Sequence, residues 1–160
     1  MREFDKRGLD LAAYQAEIFK QSLIDTESSS PIFIRRFMKS KFVQKLDEGE
    51  TYLLSLDTNE AFASLDKQYG KSVYGKIKYS INEIHWIGYI YRYICYTREC
   101  PSRLIYKLIK PAELRNVYFA YHTQSEEWVI ASLLEANHLS EEDLNPNIRL
   151  KNAIRKRIAS

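Results

Sequence analysis

The stretch that most constrains the fold is "EIHWIGYIYRYICYTRECPSRLIYKLIKP", Glu83 to Pro111. Tyr89, Tyr91 and Tyr93 alternate, as on a strand whose two faces differ, and aromatic and β-branched residues favour extended structure. Yet Ile84, Ile87, Tyr91 and Ile94 also repeat at helical spacing, as do Trp86, Ile90 and Tyr93. The run is too long for an average strand, and Ser80 or Asn82 supplies a helix cap. The periodicity therefore predicts a helix from about Asn82 to Arg98. It is apolar on nearly all sides, which makes it a central, buried helix. Gly88 in its middle costs about 1 kcal/mol against Ala. A close helix crossing at Gly88 would explain that cost.

A chain organised around one such helix needs other helices to cover it. The sequence has 160 residues, enough for one domain, and is 45% hydrophobic and 28% charged with five Gly and four Pro, which argues against a turn-rich β protein. An amphipathic helix is expected from about Asp5 to Ile24. Its position at the start of the chain allows residues 1–27 to act as a helical arm. Ser29 or Ser30 before Pro31 starts a helix through "PIFIRRFMKSKFVQKLD", with Phe33, Phe37 and Met38 inward and Arg35 and Arg36 toward an edge. Asp57 or Thr58 caps "NEAFASLDKQY", and "GKSVYGKIKYS" reads as a loop containing one turn. "PAELRNVYFAY" starts at Pro111, with Glu113 near the positive end of the helix dipole. Ser125 caps "EWVIASLLEAN", and "LSEEDL" carries a capping pattern. Residues 147–160 read as a basic amphipathic helix or a frayed tail. The expected fold is thus all-α: a single compact helical domain over residues 1–160, with a helix-turn-helix around residues 82–110.

That helix-turn-helix comes from the short break at "RECP", after which Pro101 opens "SRLIYKLIK". Leu104, Ile105 and Leu108 can face the core, while Arg103, Lys107 and Lys110 form one stripe beside Tyr106. The second helix of such a pair can enter the major groove, N-terminus first. Ser102, Arg103, Tyr106, Lys107 and Lys110 are then the outward nucleic-acid-binding residues. Arginine reads guanine bidentately, and lysines and hydroxyls hold phosphates. Any helical hairpin with a basic exposed face has the same pattern, so a solvated surface helix explains it equally.

The formal charge is only +3, and its distribution is more informative than its size. Arg98 to Phe119 holds five cations against two acids, and Asn147 to Ser160 holds Arg149, Lys151, Arg155, Lys156 and Arg157 with no acid. Such polarity suits phosphate or an acidic protein, and adds Arg155, Lys156 and Arg157 to the nucleic-acid-binding set.

Catalytic and metal signals are sparse. Arg115 and His122, in "RNVYFAYH", resemble the Arg–(four to six residues)–His motif of HEPN ribonucleases, which are small, helical and dimeric. That resemblance implies a homodimer in which His122 moves protons and Arg115 stabilises phosphate charge. Without it, Arg115 is a surface pair and His122 caps a helix end. His85, His122 and His138 are scattered and form no zinc motif. No phosphate-binding glycine loop is present, so no cofactor and no metal is expected. Cys95 and Cys100 fit neither a zinc site nor a disulfide scaffold and are expected as reduced thiols in a cytoplasmic protein. The charged opening "MREFDKRGLD" is no signal peptide, and no apolar run is long enough to cross a membrane, so no membrane partner is expected.

Six segments together carry a wider resemblance: "SPIFIRRFMKSK" (30–41), "QYGKSVYGKIKYS" (68–80), "EIHWIGYIYRY" (83–93), "IYKLIKPAELR" (105–115), "AYHT" (120–123) and "LLEA" (133–136). Over about Ser30 to Ala136 the chain resembles a family of small bacterial helical proteins with antitoxin-like members. It departs from that family at Ile94, where tryptophan is usual, and at "QSEEW", where a turn with proline is usual. The resemblance implies a bacterial or phage helical protein that binds a partner protein such as a toxin, with operator DNA as a second partner. A protein-binding inhibitor with no nucleic-acid contact is the remaining alternative.

Overall fold

The central helix is where its periodicity placed it. In the computed structural model, which describes residues 1–160, it spans Ile81–Arg98 (α5) and every residue from Ile90 to Arg98 is buried. Ser80 starts it through a capping box: its hydroxyl accepts from the Glu83 amide while the Glu83 carboxylate accepts from the Ser80 amide. The alternating tyrosines therefore lie on a helix that other helices surround. No strand is present, and the chain is a single all-α domain.

The main partner of α5 is α1, Lys6–Asp25, which runs antiparallel along it. Small residues set that approach. A Cβ on Gly88 would meet Phe19 Cγ at 2.7 Å and Ala16 Cα at 3.1 Å, so glycine is required at the crossing. At the other end Gly8 lies under the Tyr96 ring. Leu11, Ala12, Gln15, Ala16, Ile18 and Phe19 are all buried. The expected N-terminal arm is thus an integral layer of the core, because the inward face of α1 is wide and continuous with α5.

The remaining helices pack around this pair. α2 (Ser30–Met38) and α3 (Lys41–Asp47) occupy the region expected to form one helix. They separate at Lys39 and Ser40, because the Ser40 hydroxyl donates to the Phe37 carbonyl and accepts from the Val43 amide, ending one helix and capping the next. A 3-10 turn covers Thr51–Ser55, and α4 follows at Asn59–Tyr69. Phe19, Phe33, Phe37 and Phe62 form a contiguous aromatic cluster between α1, α2 and α4.

Residues 70–80 form the expected loop, without the single turn expected in it. They run in extended form over the start of α2, where Ser29 and Ser30 amides donate to the Tyr74 and Ile77 carbonyls. Gly75 makes this possible: its φ is +81° and its α-carbon packs against the Ser29 side chain. Next come α6 (Ser102–Leu108), α7 (Pro111–Tyr121) and α8 (Glu126–Ala136, capped by Ser125). A 3-10 turn at Glu141–Leu144 leads into α9, Pro146–Ala159. The basic end is thus a helix, started by the Asn145 side chain. No helix is long and apolar enough to cross a membrane.

Candidate functional site

The basic face starts with how α6 is held. Arg92, in the middle of α5, is 1% exposed and is the only charge in "YIYRYICY". A guanidinium there must find partners, since an unpaired buried charge costs several kcal/mol. Its Nε donates to Gln15 Oε1 at 2.9 Å, Nη1 to Asp47 Oδ1 at 2.8 Å and Nη2 to Ser102 Oγ at 2.9 Å. Ser102 then donates its hydroxyl to Asp47 Oδ1 at 2.6 Å and its amide to Asp47 Oδ2 at 3.0 Å. Gln15 also donates to the Gly88 carbonyl. One network therefore joins α1, α3, α5 and α6, with Asp47 capping α6 from another helix.

This corrects one sequence-based residue. Ser102 was expected to face outward toward nucleic acid, but it is 0% exposed and committed to Asp47 and Arg92. The two helices and the short turn of the expected motif exist, yet the first residue of α6, Ser102, and its amide are turned inward onto Asp47, while Pro101 and Arg103 on either side are exposed. A groove-reading helix presents its first turn to the bases, so Ser102 is lost to that role.

The rest of the stripe does reach solvent. Arg103, Lys107 and Lys110 are exposed and Tyr106 is half-buried, with Ile105 inward and Leu104 and Leu108 partly covered. α2 adds to this face. Lys39 Nζ lies 5.5 Å and Lys110 Nζ 4.5 Å from the Tyr106 ring centre, and the Arg103 guanidinium donates to the Lys39 carbonyl at 3.5 Å. Burial pushes the Tyr106 hydroxyl pKa up, opposed by the nearby positive charge of Arg35. Arg35, Lys39, Arg103, Lys107 and Lys110 form no ion pair with any acid of the chain. Arg36 is likewise free of acids; it donates to the Gly70 carbonyl and lies over Tyr69.

The second basic surface is α9, which has no buried residue. It touches the body through Arg149, which donates to the Asp143 carbonyl, and Asn152, which donates to Glu142. Leu150, Ile154 and Ile158, four apart, make a stripe on a different face and are 63%, 48% and 80% exposed. Arg155, Lys156 and Arg157 are exposed around it and unpaired.

Arg115 and His122 are both on α7 or at its end, but each is engaged locally. Arg115 pairs with Glu83 at 3.4 Å and lies over the Tyr79 ring. Burial opposes ionisation of Glu83, but hydrogen bonds from Ser80 and the Arg115 charge hold its carboxyl below the usual range. His122 ends α7, with Nδ1 2.9 Å from the Tyr118 carbonyl and its ring stacked on Tyr118. His122 and His85 line one groove between α5, α7 and α8, whereas Arg115 is not part of that groove. His138 is elsewhere, with φ +55°, and no cluster of potential metal ligands exists. Both cysteines are free thiols, and burial raises the Cys95 pKa to about 12 and that of Cys100 further.

Sequence reasoning missed the Arg92 network and the groove. A single charge inside an apolar run signalled the first, but its partner Asp47 lies 45 positions away. No family model, curated protein or solved structure matches this chain.

Proposed function

We propose that the chain is an antitoxin-like regulator that docks on a partner protein through α9 and on operator DNA through the basic face of α6. The observation that carries this reading is α9 itself: an amphipathic helix whose apolar stripe has no cover within the chain and whose cations have no acids. An amphipathic helix of this kind suits an apolar groove with an acidic rim on another protein. The stripe is a single row of three aliphatic residues and lacks the large aromatics of helices that lie in a membrane surface. Self-pairing would bring like charges together with nothing to offset them.

The DNA half rests on Lys39, Arg103, Lys107 and Lys110, held on one face around Tyr106. With Ser102 inside the protein, these side chains reach DNA from the flank of α6. Phosphate contact comes first in such a geometry, and base reading falls to Arg103.

The test is co-expression with the product of the adjacent gene in the native operon. The pair should co-purify and the chain should relieve growth inhibition by that product. Leu150→Asp with Ile154→Asp should abolish both without altering the helical far-UV spectrum. Promoter DNA should bind more tightly than random DNA, and each phosphate contact removed should lower the slope of log affinity against log salt by about 0.9. Arg103→Ala should cost about 1–3 kcal/mol on promoter DNA and less on random DNA, and Lys156→Ala should weaken both alike. Failure of pairing together with equal affinity for both DNAs would overturn the proposal; equal DNA affinities alone would leave protein binding as the function.

A further inference from the structure

The groove between α5, α7 and α8 has a chemistry that neither basic surface shares. It encloses about 300 Å³ and contains no lysine or arginine. Three aromatic rings line it: Trp86 and Tyr89, three apart on α5, and Tyr118 on α7, one face of which is covered by the His122 ring. Trp86 and Tyr118 stand nearly perpendicular, at 74°, with ring centres 5.7 Å apart, and so form a corner. Ile90 and Val129 are the buried aliphatic lining.

One carboxylate completes the lining. Glu126, in the first turn of α8, has no ion pair and no side-chain hydrogen bond, although Glu127 beside it pairs with Arg98. Its charge is close enough to raise the Tyr89 hydroxyl pKa, after the larger effect of burial. Asn82, Gln124, His85 and His122 supply polar edges. Aromatic faces present negative potential, and an unpaired carboxylate adds to it.

We infer that this groove binds an organic cation, an ammonium or guanidinium group, held between Trp86, Tyr89 and Tyr118 and offset by Glu126. The cation comes either from a free small molecule or from the end of a lysine or arginine side chain on a docked peptide. Both sources offer the same group, so the two are separated by experiment. The inference does not depend on the antitoxin-like reading, because it rests on residues that neither basic surface uses.

The chain has two tryptophans, so Trp128→Phe leaves Trp86 as the sole indole reporter. The full-length Trp128→Phe protein is titrated at pH 8 with choline, with arginine amide, with the peptide Gly-Arg-Gly, and with 3,3-dimethylbutanol, the neutral isostere of choline. A saturable change in Trp86 emission is expected with at least one cation, and none with the isostere. Glu126→Gln and Tyr118→Leu should each weaken the binding about fivefold or more, while Lys156→Ala should leave it unchanged. Saturation by choline assigns a free cation; saturation by the arginine ligands alone assigns a side chain of a docked peptide. The inference is overturned if no cation saturates, if the isostere binds as well as choline, or if Glu126→Gln binds as tightly as the parent.

Discussion

Replacing Asp47 by alanine tests the energetic centre of the fold. The Arg92 guanidinium is 1% exposed and Asp47 supplies its only counter-charge, at 2.8 Å. Removing that carboxylate leaves the cation buried with Gln15 and Ser102 alone, and strips the Ser102 amide of its cap. Breaking a buried pair from one side costs about 3–5 kcal/mol. The Asp47 side chain keeps 17% exposure, so water can replace part of the lost interaction and the lower end, about 3 kcal/mol, is expected. In urea, with a slope of about 2 kcal/mol per molar, the midpoint should fall by about 1.5 M. The thermal midpoint should drop by about 6–12 °C. The companion Asp47→Ala/Arg92→Met removes both charges and should recover much of the loss, because replacing a buried pair with apolar residues is often near neutral. A midpoint shift below about 0.5 M for Asp47→Ala would refute the reasoning, as would a double variant no more stable than the single one.

Three further outcomes follow from the packing and the charges. Gly88→Val should destabilise by about 3 kcal/mol or more in the same urea titration, because its side chain would enter the space held by Phe19 and Ala16. Glu83 has a lowered pKa in the fold, so its ionised form stabilises the protein above the unfolded-state value near 4.5, and that contribution is lost as pH falls through the folded value. Glu83→Gln should therefore flatten the acid limb of a stability–pH curve and cost about 0.5–1 kcal/mol at pH 7 through the lost charge beside Arg115 and the α5 N-terminus, since the carboxamide oxygen still accepts from the Ser80 amide. Cys95 and Cys100 should react with a thiol reagent at pH 8 only after denaturant is added, since both are buried and their ionisation is suppressed.

The helical class and the central place of α5 were legible because its apolar residues surround the helix axis, a pattern alternating strands do not produce. Gly88 was legible as a close crossing for the same reason: a costly glycine in a long helix needs a backbone-level neighbour. The caps Ser29, Ser80 and Ser125 were visible as hydroxyls just before periodic runs. The outward stripe of α6 was legible, but the inward turn of its first residue, Ser102, was not. A helix of seven residues has too few repeats to define its inner face at the first turn, and Ser102 is turned inward by Asp47, 55 positions earlier. The break at Ser40 was hidden because "MKSK" has no glycine or proline to announce it. The groove was hidden because His85 and His122 come from helices that meet only in the tertiary structure.

The contrast in how the two basic surfaces are mounted has a dynamic consequence. The α6 face is fixed by a buried network, so a ligand there meets side chains on an already rigid support. Beyond Asn152, by contrast, no side chain of α9 bonds to the body. A helix of 14 residues is near the length at which isolated helices are only marginal in water, so its last two turns open readily. Their backbone amides should exchange with deuterated solvent far faster than those of α5, and slow when a partner covers Leu150, Ile154 and Ile158. Each docking event there includes the cost of ordering those turns, which lowers affinity for a given contact area. Under the proposed function, a mooring of this kind favours release of the partner without unfolding of the domain.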